Sequence, residues 1–181
     1  MSVYVPQLVL PTDPERDHIR GSVHAPLTLL EYGDFECPYC GAAHPVVVEI
    51  CRRLGRHLRF VFRHFPLANV HPHSELAAEA AEAAGAQGKF WEMHDRLFEH
   101  QDSLDDDDLI AHGRALDLDI DALARELVDG THTQRVREDF TTGVRSGVNG
   151  TPSFFINNVR YDGSHDLGSM LETLEGMLRA A

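Results

Sequence analysis

Leu27-Thr28-Leu29-Leu30-Glu31-Tyr32, followed closely by Glu36-Cys37-Pro38-Tyr39-Cys40-Gly41, decides the fold. The first stretch is a short apolar run of strand character. The second sets two cysteines three residues apart at the start of a helical pattern. Pro38 falls at the first helical position, where its missing N–H would be unpaired in any case. A C-x-x-C pair that follows a strand and a turn and opens a helix is redox-active rather than incidental. A thiolate at Cys37 would face unpaired backbone N–H groups and the positive end of the helix dipole, and both favour the anion. Cys40 lies one turn on, on the same helix face. From there it can attack Cys37 and resolve a mixed disulfide.

The bulk properties agree with a globular enzyme. The chain has 181 residues, 43% of them hydrophobic, which is enough for one domain with a sizeable insertion. Its net charge is -13 and Lys89 is its single lysine, so it has no basic cluster for nucleic acid or an anionic membrane surface. No run of about 20 apolar residues predicts a membrane span. The segment Met1 to Leu10 lacks a basic n-region, so a cytoplasmic location is expected. Three cysteines are too few for a secreted disulfide framework.

Outward from the motif, the chain divides into four parts. Residues 1–26 read as a Pro-rich N-terminal arm with a short strand near His18 to Gly21. Residues 27–70 carry the first strand, a helix from Pro38 to Leu54 with a kink expected at Pro45, and a second strand from His57 to Arg63. In that strand Leu58, Phe60 and Phe62 alternate with charged or smaller residues. Residues 71–146 show helical signals alone, with Asp105 and its neighbours opening one helix and Gly130 closing another. Residues 147–181 return to strands at Ser153–Ile156 and Val159–Tyr161, joined by Asn157-Asn158, and end on an amphipathic helix. This is the order of an α/β thioredoxin fold with a mixed sheet and an inserted all-helical subdomain.

Several side chains present alternatives. Glu31, six residues before Cys37, is either a proton acceptor for Cys40 or an ordinary surface Glu at a strand end. Thr151-Pro152 opens a strand after Asn149-Gly150. There Pro152 either forms a cis bond that leaves the Thr151 backbone free for a partner peptide, or simply starts an edge strand in trans. Cys51 lies roughly 16 Å along the helix from Cys40, beyond disulfide reach, and reads as a buried inert thiol. Among the twelve histidines only His71-Pro72-His73 brings two within two residues of each other, and no spacing matches a four-ligand zinc site. His44, four residues after Cys40, is expected as a partly exposed helix histidine. Asp117, Asp119 and Asp121 lack the glycine and distal glutamate of a calcium loop. No metal site is expected.

Four motifs carry a resemblance to a known family. They are Leu29 to Cys40, Phe62-Arg63-His64-Phe65-Pro66-Leu67, Ala86-Gln87-Gly88-Lys89-Phe90-Trp91, and Gly147 to Ile156. In this order, across residues 17–180, the chain resembles the bacterial DsbA-like thioredoxin family. The resemblance implies a nucleophilic Cys37, a resolving Cys40, a cis-Pro152 loop beside them and an acid at Glu31. It implies substrate contacts through Pro38, Tyr39, Thr151 and Pro152, and no cofactor beyond a redox-active Cys37–Cys40 disulfide. Founding members of the family are periplasmic oxidants with His where Tyr39 stands, and Pro38-Tyr39 resembles the glutaredoxin dipeptide. The expectation is therefore a thiol–disulfide oxidoreductase working as a reductase or isomerase, with a potential near the -200 to -230 mV range quoted for glutaredoxins. Its partners would be a disulfide-containing protein or a small thiol, plus a thiol electron donor or acceptor, with neither nucleic acid nor membrane. The alternatives are a glutathione-dependent enzyme, and a metal- or partner-binding module using Cys37 and Cys40 with His44.

Overall fold

The computed structural model describes residues 6–180; residues 1–5 of the expected arm and residue 181 lie outside them. The strands are β1 (His18–Gly21), β2 (Leu27–Gly33), β3 (Leu58–His64), β4 (Ser153–Ile156) and β5 (Val159–Tyr161). They form one sheet in the order β1-β3-β2-β4-β5. Only β2 and β3 run parallel, joined by helix α1 (Pro38–Leu54) and a short 3-10 turn; the other three pairings are antiparallel. Asn157 and Asn158 take φ of 47° and 71° and close the β4–β5 hairpin.

Between β3 and β4 the chain is helical: α2 (Ser74–Ala86), α3 (Phe90–Glu99), α4 (Asp106–Ala115), α5 (Ile120–Asp129) and α6 (Thr133–Arg145). Asp105 and Asp119 cap α4 and α5 by accepting from the N–H groups of Asp108 and Ala122. Gly130 ends α5 in the left-handed conformation at φ 62°. Helix α7 (Leu167–Ala180) closes the chain.

Two apolar clusters flank the sheet. The larger joins Leu29, Phe60, Phe62 and Phe154 to α1, α2, α3 and α7. The smaller covers the opposite face with Leu8, Leu30, Tyr32, Val61, Phe65, Val148 and Phe155. The alternation in β3 predicts one polar face, but every residue of β2 and all but Arg59 of β3 are buried. The arm and α6 cover that second face. Arg63 lies wholly inside it and uses all its nitrogens: to both oxygens of Asp17 at 2.9 and 2.8 Å, to the Tyr32 hydroxyl, and to the carbonyls of Leu10 and Pro11.

Helix α1 is continuous across Pro45, so the expected kink does not interrupt it. The proline ring sits on the exposed side of the helix, away from the packed core. Its inner face includes Cys40, Ala43, Val47, Ile50 and Leu54. His44 corrects the expectation of partial exposure. It is buried against α3, its ring stacked on Phe98 at 5.2 Å and its Nε2 3.9 Å from Asp95. A 3.6-residue period places His44 beside Cys40 on the α1 surface, but only the docking of α3 covers it.

Candidate functional site

The site forms where β2 ends and α1 begins. The chain leaves β2 at Gly33, turns through Asp34-Phe35-Glu36, and enters α1 with Cys37 as N-cap residue at φ -72° and ψ 121°. Neither the acidic side chains of the turn nor Cys37 caps the helix by side-chain hydrogen bond. The first-turn N–H groups therefore remain available to the Cys37 sulfur. Pro38 and Tyr39 stand out from the surface, Tyr39 at 74% exposure, while Cys37 and Cys40 are buried beneath them. Neither cysteine is in a disulfide here.

Thr151 approaches from the other side, at the mouth of β4. The Thr151–Pro152 bond is cis, and the Thr151 carbonyl accepts from the Cys37 thiol at 3.5 Å. The Thr151 hydroxyl is buried and otherwise without a partner, so a thiolate at Cys37 has it to draw on. The Cys37 thiol is lowered to about 5, chiefly by the Cys40 side chain beside it, with Thr151 and the N–H groups of Cys40 and Tyr39 adding to it against the cost of burial. Cys40 moves the other way. Burial, then the hydrogen bond to the Cys37 sulfur and the charges of Glu31 and Cys37, push it well above an ordinary thiol. Two thiols of the same chemistry are thus split into an acidic one at the rim and a protonated one inside.

Glu31 is within electrostatic reach of this pair. It sits within β2 between Phe62 of β3 and Phe154 of β4, and it is 3% exposed with Oε1 unpartnered. The reading of Glu31 as a surface side chain fails, because β2 is the central strand of the sheet. Burial, with the Cys37 charge adding to it, raises its carboxyl to about 8. Cys51 is half-buried on α1, and burial raises its thiol to about 11.

Other residues around the turn escape a reading of spacing alone. Gln101, from the segment between α3 and α4, donates its Nε2 to the carbonyls of Phe35 at 2.7 Å and Cys37 at 2.9 Å. Gly41 leaves the room for it, since a Cβ there would collide with the Gln101 amide. The Asp34 carboxylate is buried and accepts from the N–H groups of Glu36 and Leu67 and from His71 Nδ1. The one available signal was that His71 and His73 are spaced by two, as are Asp34 and Glu36.

Among the described residues, two trios of ligating atoms lie within 4.8 Å: His44, His94 and Asp95, and His64, Glu82 and Asp139. Neither includes Cys37 or Cys40. In each, a carboxylate is already held by a guanidinium: Asp95 by Arg20 at 2.6 Å, and Asp139 by Arg16 and Arg135 at 2.6 and 2.7 Å, while Glu82 is held by His18 and His64 at 3.0 and 2.8 Å.

A C-x-x-C pair at a helix N-terminus, set against a Pro-bearing loop on a mixed five-stranded sheet, defines a thioredoxin-type protein. The family described as Thioredoxin matches residues 13–176, and this chain belongs to it. BdbD from Bacillus subtilis superposes with a TM-score of 0.83 over 97% of both chains at 24% identity. A thioredoxin-like oxidoreductase from Silicibacter pomeroyi superposes with a TM-score of 0.80 over 93% of this chain and 95% of its own at 27% identity. Alpha-DsbA1 from Wolbachia pipientis gives 0.79 at 22% identity, over 96% and 98%. The fold is thus that of DsbA-type chains. In sequence, the chain is 49% identical over 163 residues to Na(+)/H(+) antiporter NhaA 1 of Salinispora arenicola, covering 90% of this chain and 25% of that protein. It spans about a quarter of the length of the curated relatives it matches. No helix among the described residues is long and apolar enough to cross a membrane.

Proposed function

We propose that this chain is a thiol–disulfide oxidoreductase with Cys37 as nucleophile and Cys40 as resolving thiol. The observation that carries it is the pairing of Cys37 at the α1 N-terminus with the buried Glu31 carboxyl, whose Oε1 has no partner and whose charge acts on Cys40. The Cys37 thiolate attacks one sulfur of a substrate disulfide, and the other sulfur leaves as a thiolate that takes up a proton. Once Cys37 is in the mixed disulfide its charge is gone, so the Glu31 carboxyl drops back below 8 and can accept the Cys40 proton. Cys40 then attacks Cys37 and releases the second thiol. The substrate gains two electrons, and Cys37–Cys40 becomes a disulfide. Pro38, Tyr39 and the Thr151-Pro152 edge line the approach and would contact an extended peptide. An external thiol or disulfide restores the starting state.

The low position of Cys37 bears on direction. Stabilising the thiolate stabilises the reduced form. A value of about 5 falls between those quoted for thioredoxin, about 7, and DsbA, about 3.5. We therefore place the couple between about -270 and -120 mV. Cys40→Ser tests the chemistry. Incubated with a disulfide peptide, this variant should accumulate a stable mixed disulfide at Cys37 by intact-mass spectrometry, and no adduct would sink the proposal. A glutathione adduct under the same conditions, without a peptide adduct, would favour the glutathione-dependent reading.

Glu31→Gln should have two effects of opposite sign. Release of substrate from the mixed disulfide should slow by about 10²-fold, because the buried Cys40 thiol loses its proton acceptor. Stability should rise at alkaline pH. The folded carboxyl is raised to about 8 against 4.5 unfolded, so the wild-type fold loses stability as pH climbs through that window, whereas an amide does not titrate. Stopped-flow release and urea melts at pH 6 and 9 check both; a pH-independent stability difference would contradict the assignment.

The relatives favour one addition. Since stretches 46–49% identical to nearly all of this chain lie within longer proteins named as antiporters, we infer that it works as a redox module beside a membrane ion transporter. Disulfide cross-linking of Cys40→Ser to such a transporter in membranes tests this, and capture of soluble proteins alone would count against it.

A further inference from the structure

Two acid–imidazole clasps tie the turn before Cys37 to the segment before α2. His71 Nδ1 donates to Asp34 Oδ2 at 2.7 Å. His73 binds Glu36 through its backbone N–H at 2.7 Å and its Nδ1 at 3.0 Å. The two pairs share a register: acids two residues apart meet histidines two residues apart, with Pro72 between the histidines on the exposed side. They differ in depth. The Asp34 side chain is fully buried and His71 is 18% exposed, while His73 lies open to solvent at 46%.

Asp34 sits close to the nucleophile, since its carbonyl accepts from the Cys37 N–H at 3.1 Å. An unopposed carboxylate there would disfavour a thiolate one short turn away. The neutralising group comes from the chain beyond β3, not from the thioredoxin half that carries the cysteines. The charged groups facing His71 are Asp34, Cys37 and Glu36. Glu36 is engaged by His73, which also faces Asp105 and Asp106 at the start of α4.

We propose that His71 is a positioning residue of the Cys37 site: its imidazolium neutralises the buried Asp34 carboxylate and so keeps a second negative charge from acting on the Cys37 sulfur. This rests on the reading of Cys37 as the reactive thiol, but it is measurable without turnover. Burial lowers the titration of His71, and the Asp34 hydrogen bond and charge, followed by the charges of Cys37 and Glu36, together raise it overall, in agreement with this. The effect is reciprocal: a charge on Cys37 that favours the imidazolium is itself favoured by it.

The test is the pH profile of Cys37 alkylation by iodoacetamide in the reduced full chain. His71→Gln should shift the profile to higher pH and lower the rate at pH 5.5 by about three- to tenfold. The double variant Asp34→Asn/His71→Gln removes both charges and should return the rate to within about twofold of wild type. A purely structural role would leave the double variant as slow as the single one or slower, and that result, or an unchanged His71→Gln profile, overturns the proposal. If His71→Gln does not fold, the wild-type protein decides. The His71 ring proton should titrate at lower pH in the Cys37–Cys40 disulfide form than in the reduced form, and identical midpoints overturn the proposal. Failure of the trapping experiment with Cys40→Ser would refute the oxidoreductase reading while leaving this titration difference intact.

Discussion

Cys37→Ser should abolish disulfide exchange, lowering the rate of insulin reduction by about 10³-fold or more, at background level for practical purposes. The size of the loss follows from the site. Cys37 carries the acidity and the little exposure the pair has, 3% against none for Cys40. It is the thiol lowered to about 5, and it lies at the surface end of α1 beside Thr151. Cys40 cannot substitute, because it is fully buried and held protonated well above neutral pH. A serine hydroxyl at residue 37 keeps the shape but has no accessible anion near pH 7. Circular dichroism should show an unchanged fold, and Cys40→Ser should differ in kind, blocking turnover while trapping substrate. Equal insulin reduction by wild type and Cys37→Ser would end the oxidoreductase reading. The wild-type rate of single-turnover attack should fall only below about pH 5, where the Cys37 thiolate is lost.

Arg63→Met should destabilise the fold by about 3–5 kcal/mol, the cost of breaking a fully buried ion pair from one side. Both partners have no exposed side-chain surface. Removing the guanidinium leaves the buried Asp17 carboxylate with only the partly exposed Arg16 and the Asp13 N–H, and frees the carbonyls of Leu10 and Pro11, which otherwise hold the arm across the sheet. The double variant Asp17→Leu/Arg63→Met should recover most of that loss, since well-packed apolar replacements of a buried pair are often neutral or better. The wild-type pair also gives an acid-sensitive contribution. Asp17 pays for burial but is lowered overall by Arg63, so its stabilisation is complete above the unfolded carboxylate value and fades as pH falls through the folded one. Urea melts of the three chains at pH 7 measure the ledger. A single-variant loss below about 1 kcal/mol would show that the network is dispensable.

Much of the fold was legible because its signals are local. The apolar run of β2, Pro38 at the first helical position, the aspartate caps of α4 and α5, and the Asn157-Asn158 turn each state a backbone preference that neighbouring residues do not contradict. The site was legible to the extent that it is contiguous. Cys37 and Cys40 are one helical turn apart, and the roles proposed for them rest on that spacing. Arg63 shows where such reasoning stops. Its place in an alternating strand predicts a polar face, yet the arm and α6 close over it, and no local signal says that a second layer exists. His44 fails for the same reason, because its exposure depends on α3.

The amino-acid sequence by itself determined the order of strands and helices, the helical insertion between β3 and β4, and the dithiol at the head of α1. These rest on dihedral preferences and periodicities that act over a few residues. Tertiary structure alone decided which groups act on that dithiol. Glu31 becomes a raised, unpartnered carboxyl only because β3 and β4 flank its strand on both sides. Thr151, 114 residues from Cys37, reaches the sulfur through the return of β4 to the sheet. His71 and Gln101 reach the turn from outside the thioredoxin half. Electrostatic work on a thiol depends on distance and burial in three dimensions, and neither is a property of spacing along the chain.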